Sequence, residues 1–392
     1  MDARVKFLSQ MGATSKNFAI EKRPNRQRRS WLAGQGRVLM KLRWSILVGL
    51  FWIAAAGWAL ADPDTTAPAP NLAPVPPYAA NLAGTESRML PANYDIWSCD
   101  WSPSAKTMVF AAKMQGEESS RMRIWQWNLD PVGDPAPLTG TEPYLDFTPR
   151  WSPDGSRIVM VRRNTGKTNS TGTTAALWLR DMPNGPARPL TQGAADRDPF
   201  WSPDGSQIVF SRAQGPYRAQ LFLLNVADGS TRLLAGGEGE ILINPWWGKN
   251  GKIYFTRILP VSKTVSVNNQ SFRVTDFGKG SIWSLNPLDK TMQPVVVDDY
   301  DNRYPALSPD GQWLAFVSNR SAIKDGNGKF DRGGLYLKNL ANGTIYYLTS
   351  KVALVGASVT WSPDGRKLAF FTYRSIRPAI WVITLPAQPA GK

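Results

Sequence analysis

The sequence contains no histidine in 392 residues. Within this chain that excludes Ser-His-Asp and Cys-His catalysis, histidine-ligated metals and imidazole pH switching. There is one cysteine, Cys99, which excludes an intrachain disulfide and a cysteine-cluster metal site. It reads as a small buried hydrophobe. Acids are also sparse, 30 Asp and Glu against 46 Lys and Arg, a formal charge of +16. That excess is not the basic face of a folded domain, because residues 1–61 hold eleven Lys or Arg and two acids, +9 of the total. No nucleic-acid partner is expected. What the chain has in plenty is 17 Trp, 33 Gly and 31 Pro, the composition of a turn-rich all-β protein.

The charged leader has its own logic. From Met40, Lys41 and Arg43 precede an apolar and small-residue run, Trp44–Trp58, and Ala59-Leu60-Ala61 supplies a small-x-small cleavage pattern. Residues 40–61 therefore read as an export signal cleaved after Ala61. Translation is expected to start at Met40, with 1–39 a basic extension that is superfluous to export. The same run, about 18 residues long, also suits an uncleaved anchor with its basic side kept cytoplasmic, the chain's only expected tie to a membrane. Either way the bulk of the chain is expected outside the cytoplasm, in a periplasm or equivalent compartment. Residues 62–85 are rich in Pro, Ala and Thr and read as an extended spacer.

A period then emerges. Anchors fall at Trp101, Trp151, Trp201, Trp247, Leu307 and Trp361, spaced 50, 50, 46, 60 and 54 residues apart. Trp-Ser-Pro-Asp-Gly stands complete at 151–155, 201–205 and 361–365, and Pro149, Pro199, Pro245 and Pro305 each precede an anchor by two. Each anchor is followed by a strand (157–162, 207–211, 252–256, 313–317, 367–371), a variable loop, a second strand such as "ALWLRD" or "AIWVITL", a Gly or Asn turn, and a last strand ending near Leu-Thr. Four short strands per unit is the pattern of a propeller blade. The last unit ends at 379–386 without a fourth strand, while 88–101 aligns without a gap to 188–201. A strand at about 87–91 is thus expected to complete the last blade and close the ring, removing two exposed sheet edges. The expectation is a monomeric six-bladed β-propeller of four-stranded antiparallel blades over 86–386, with a tail at 387–392. The Pro-Asp-Gly run fits a turn in which Pro presets φ and Gly takes a positive φ; the anchors are structural.

Such a meander puts the Pro-Asp-Gly turns and the short Asp-Gly or Asn-Gly turns on one plain face. The insertions, 163–174, 258–279 and 319–334, fall on the other, where binding residues concentrate. Blade-to-blade loops add Tyr94, Asp95, Tyr144, Asp146, Asp196, Arg197, Asp299, Asp301 and Arg303 to that face as binding candidates, suited to a peptide or protein. Asp325, Asn327 and Asp331 offer oxygen ligands in a loop resembling a calcium site, but Lys329 stands at a ligand position and no glutamate follows at loop distance. A polar loop is the plainer reading, with no cofactor expected.

The repeated Pro-x-Trp-Ser-Pro-Asp-Gly with "L-x-L" and "LT" strands resembles the propeller repeats of the TolB family, the periplasmic component of the Tol–Pal system. TolB proteins place an α/β domain before the propeller, where this chain has the Pro-rich spacer. The resemblance implies a non-catalytic platform that binds an envelope protein or a Pal-like lipoprotein peptide at its loop face. Dipeptidyl-peptidase-type enzymes carry similar repeats, so a second reading is a hydrolase or lyase using carboxylates and a metal at the channel mouth. Asp95, Asp146, Asp196 and Asp301 are the ring-like set it would need.

Overall fold

A computed structural model describes residues 86–88, 93–117, 122–140, 144–164, 175–192, 195–267, 270–320, 333–352, 358–372 and 379–385. Among them there is no helix, and none therefore that could cross a membrane. The leader at 40–61, the spacer at 62–85 and the loop containing Asp325, Asn327 and Asp331 lie outside the described residues.

The strands form successive meanders. The first blade is β2 (Tyr94–Trp101), β3 (Thr107–Met114), β4 (Arg123–Asn128) and β5 (Ala136–Pro137); the second is β6 (Tyr144–Trp151), β7 (Arg157–Asn164), β8 (Ala175–Asp181) and β9 (Ala187–Pro189). The third is β10 (Asp196–Trp201), β11 (Gln207–Gly215), β12 (Arg218–Asn225) and β13 (Thr231–Ala235). The fourth is β14 (Ile241–Trp247), β15 (Ile253–Ile258), β18 (Gly280–Leu285) and β19 (Met292–Val296), joined to the third by one parallel pairing, Ala219 with Ile241. Its insertion is a polar hairpin, β16 (Val261–Val267) with β17 (Gln270–Asp276). The fifth is β20 (Asn302–Leu307), β21 (Trp313–Ser318), β22 (Gly333–Asn339) and β23 (Ile345–Val352).

The sixth blade is β24 (Val359–Trp361), β25 (Lys367–Thr372) and β26 (Ala379–Thr384), completed by β1 (Glu86–Arg88). β1 pairs with β26 from Glu86 opposite Ile383 to Arg88 opposite Trp381. The closing strand thus begins one residue before the expected position, and 89–92 lie outside the described residues. The packing closes the same ring. Six apolar clusters each fill one seam between neighbouring blades, and one of them joins Phe110, Trp101 and Tyr94 of the first blade to Phe371, Ile380 and Val382 of the sixth. Each fully buried side chain of this size stabilises the fold by about 1.5–3 kcal/mol.

The repeated turn works as its chemistry dictates. Ser152 Oγ accepts from Arg157 N at 2.9 Å, Asp154 Oδ1 accepts from Ser156 N at 3.1 Å, and Gly155 takes φ 71°. Hydrogen bonds from the Ser152 and Ser156 hydroxyls hold the Asp154 carboxyl down to about 2. The pattern recurs with Gly205 at φ 71°, Gly311 at 73° and Gly365 at 68°, but in the first blade Ala105 occupies the glycine position at φ 58°. The anchors pack in the seams. Trp201 Nε1 donates to Arg150 O at 3.1 Å, and Trp361 Nε1 to Ala306 O at 3.0 Å, tying each blade to the one before.

The proline before four of the anchors has a role that the sequence pattern did not disclose. Inner strands slip register between Phe147 and Arg150, Arg197 and Phe200, Ile243 and Trp246, and Arg303 and Ala306. At each of these bulges the residue three before the anchor has a positive φ: Thr148 44°, Asp198 52°, Asn244 52°, Tyr304 56°. A bulge leaves backbone groups outside the ladder. Proline contributes no N–H, so one potential orphan donor is absent. The bulge residue's own N–H reaches the preceding blade: Thr148 N to Ser98 Oγ at 3.1 Å, Asn244 N to Asp198 Oδ2 at 3.4 Å, Tyr304 N to Thr256 Oγ1 at 3.2 Å.

Candidate functional site

Inner strands run from the insertion face to the plain face, so the sequence candidates sit at their entrances. There the structure builds a clamp that repeats from blade to blade. Asp146, 2% exposed, takes both Nε and Nη2 of Arg162 at 2.7 and 2.9 Å. Asp196, fully buried, takes the same fork of Arg212 at 2.6 and 3.0 Å. Glu240 takes the fork of Arg257, and Asp298 pairs with Arg320 at 2.5 Å. Each of these guanidinium groups lies over an aromatic ring of the next strand: Arg162 over Trp178 at 4.5 Å, Arg212 over Phe222 at 4.7 Å, Arg257 over Trp283 at 4.7 Å and Arg320 over Tyr336 at 5.2 Å. An ion pair this desolvated persists because both hydrogen bonds form and the cation keeps a π face.

The remaining candidates are placed as follows. Asp301, buried, accepts Gly280 N at 2.7 Å and the fork of the fully buried Arg303 at 2.7 and 2.9 Å. Asp95 pairs with Lys113 at 3.5 Å. Tyr94 is core, edge-on to Phe110 and Trp125, with its phenol raised by burial. Tyr144 lies under Arg162 at 5.1 Å. Asp299 is exposed, and Arg197 is half-buried with no ion pair among the described residues. Asp95, Asp146, Asp196 and Asp301 are therefore each committed to a cation on the chain. Among the described residues no group of three or more acid or thiol side chains is arranged to hold a metal ion.

A second group converges nearer the plain face, and none of its members was a sequence candidate. The residues immediately before the six anchors are Asp100, Arg150, Phe200, Trp246, Ala306 and Thr360. Arg150 Nη1 donates to Asp100 Oδ1 at 3.2 Å, and its guanidinium lies 5.4 Å from the Phe200 ring and 5.6 Å from that of Trp246. Phe200 and Trp246 are 4.3 Å apart. Asp100 also accepts Trp151 N at 3.0 Å and Thr360 Oγ1 at 2.9 Å. Arg150, on the second blade, thus touches the first, third and fourth, and Asp100 reaches the sixth. The second and fourth blades share no seam, so this contact lies at the ring's axis. Asp100, Arg150, Phe200 and Trp246 all keep part of their surface exposed, so water reaches the cluster.

Two residues further in lies a polar ring: Ser98, Thr148, Asp198, Asn244, Tyr304 and Ser358. Asp198 Oδ2 accepts Asn244 Nδ2 at 3.2 Å. Thr148 Oγ1, Asn244 Oδ1 and Ser358 Oγ are buried with no protein partner. Burial raises the carboxyls of both Asp198 and Asp100, opposed at Asp198 by Arg197 and at Asp100 by Arg150. Chemically the axis offers one anchored guanidinium, an aromatic pair, and carboxylates biased toward the protonated form. Both rings were open to detection by reading the repeats vertically. One column never repeats, and the other holds only hydrogen-bonding side chains.

No family model matches this chain, and no curated relative matches its sequence. Among solved structures, the chain resembles a putative TolB from Agrobacterium tumefaciens at a TM-score of 0.52 and 19% identity, covering 74% of this chain and 91% of that one. TolB from Acinetobacter baumannii matches at 0.50 and 16% identity, over 76% of this chain and 65% of that chain, just under two thirds of its length. An oligogalacturonate lyase solved with manganese matches at 0.51 and 15% identity, over 76% and 79%. At these identities the likeness is one of fold. The protein has a β-propeller fold, as those structures do.

Proposed function

We propose that the protein is a non-catalytic, exported platform whose insertion face binds a protein or peptide partner of the cell envelope. The observation that supports it most is the commitment of the entrance carboxylates. Asp146, Asp196 and Asp301 each accept a two-pronged guanidinium from their own blade. A carboxylate so engaged has little capacity left for acid–base work or for ligating a metal. With no histidine in the sequence, the usual bases of hydrolases are missing too. The projecting hairpin at 261–276 and the loops between blades then supply contact surface on a rigid ring. The export-type leader agrees with an envelope location and a periplasmic partner such as a lipoprotein of the Pal kind. Crosslinking in intact cells followed by mass spectrometry tests this: reproducible capture of an envelope protein is expected, and its consistent absence overturns the reading.

The second reading, a carboxylate or metal-dependent enzyme, draws on one observation. Asp198 and Asp100 are held toward the protonated form by burial near the axis, as an acid catalyst would be. A stoichiometric divalent ion in the purified protein would favour it.

A further inference from the structure

Eight arginines of this protein pair with a carboxylate among the described residues, and four of them share one geometry that Arg150 does not. Arg162, Arg212, Arg257 and Arg303 each close the same pair of donors, Nε and Nη2, on one carboxylate. Arg150 uses only Nη1, at 3.2 Å from Asp100 Oδ1. Its Nε and Nη2 have no protein partner among the described residues, yet no atom of Arg150 is among the buried polar atoms lacking one. That edge is therefore open to solvent, beside the ring's axis.

The group is also fixed in place. Asp100 already accepts three donors (Arg150, the Trp151 amide and the Thr360 hydroxyl), which leaves it little capacity to draw the open edge toward itself. Phe200 and Trp246 hold the guanidinium plane. A planar fork held by a carboxylate on one side and by rings on its face is preorganised for a second planar anion. The nearby charges allow it. Arg197 adds a positive charge close to Asp198, and Asp198 is already half-satisfied by the Asn244 amide groups on Oδ2.

We propose that the axial channel is a carboxylate-binding site in which Nε and Nη2 of Arg150 take both oxygens of the ligand, beside the Phe200–Trp246 pair. The carboxylate can belong to a small organic acid or to a peptide terminus. This site is separate from the insertion face and does not depend on what binds there.

Calorimetric titration of the full chain at low salt, with glutarate, with tetra-alanine and with tetra-alanine amide, tests it. The carboxylates are expected to bind, with the amide weaker by about tenfold or more. Arg150→Gln and Arg150→Lys should each lose about tenfold or more, the lysine keeping the charge and the Asp100 partner but not the fork. Arg188→Gln, on an outer strand, should bind as the native chain does. Binding of glutarate as tight as tetra-alanine supports a small acid, and binding of tetra-alanine alone supports a peptide terminus. Equal binding of acid and amide, no binding of either, or unchanged binding in a folded Arg150→Lys protein overturns the proposal.

Discussion

Replacing Asp196 by asparagine separates a structural clamp from a functional group. Asp196 is fully buried, and its two oxygens hold Arg212 at 2.6 and 3.0 Å while the guanidinium rests on Phe222 and Phe210. Breaking a buried pair by removing one partner costs about 3–5 kcal/mol. Two features reduce that here. The Arg212 side chain is 17% exposed and can rehydrate in part, and asparagine keeps one acceptor. A loss of about 2–3 kcal/mol is expected. At about 2–4 °C of melting temperature per kcal/mol for a domain of this size, Tm should fall by about 5–10 °C. Urea unfolding monitored by tryptophan fluorescence, with calorimetry beside it, measures both. The double variant Asp196→Asn with Arg212→Leu should recover part of the loss, because the stranded charge is gone. A single variant within about 0.5 kcal/mol of the native chain, in the range of an ordinary surface change, would refute the clamp and return Asp196 to the list of functional carboxylates.

Four further outcomes follow from the same structure. Asp198→Asn should leave stability equal or higher at neutral pH. Its carboxyl is raised in the fold, so its favourable contribution is complete below the ordinary carboxylate value of about 4 and fades as pH rises through the raised one; the gain over the native chain should vanish in melts below that pH, and a constant difference would contradict this. The Asp154 carboxyl runs the other way: lowered to about 2, it supports the fold above pH about 4 and is lost on acidification, so Asp154→Asn should flatten the acid limb of Tm against pH. Ala105→Gly should stabilise by about 0.5–1 kcal/mol, relief of the left-handed strain at φ 58° exceeding the entropy of glycine in the unfolded chain; a lower Tm would contradict it. Removing residues 1–92 takes away β1 and bares the edge of β26, and light scattering should then show association along with a lower Tm.

The blade grammar was legible because it is local. Proline, aspartate and glycine at fixed offsets specify the turn, and period-two strands follow within ten residues. The closing strand could be read because a gapless alignment placed 88–101 on 188–201. What could not be read one repeat at a time is whatever lies across strands or blades. The partner of Asp146 is Arg162, and that of Asp196 is Arg212, each sixteen residues on in the facing strand. The bulges were hidden for a different reason. A residue before proline ordinarily prefers extended backbone, whereas Thr148, Asn244 and Tyr304 take positive φ with their N–H accepted by the neighbouring blade. The axial column could be read down the aligned repeats, but its contacts needed three dimensions, since Asp100 and Thr360 are 260 residues apart.

The central claim is that the insertion face carries a protein partner on a ring without chemistry of its own. Photocrosslinking side chains placed at 144, 279 and 299, with outer-turn controls at 228 and 342 on the other face, test it in intact cells. The account predicts a discrete adduct with an envelope protein from the first set and none from the controls. No adduct from 144, 279 and 299, or the same proteins captured from 228 and 342, would contradict it.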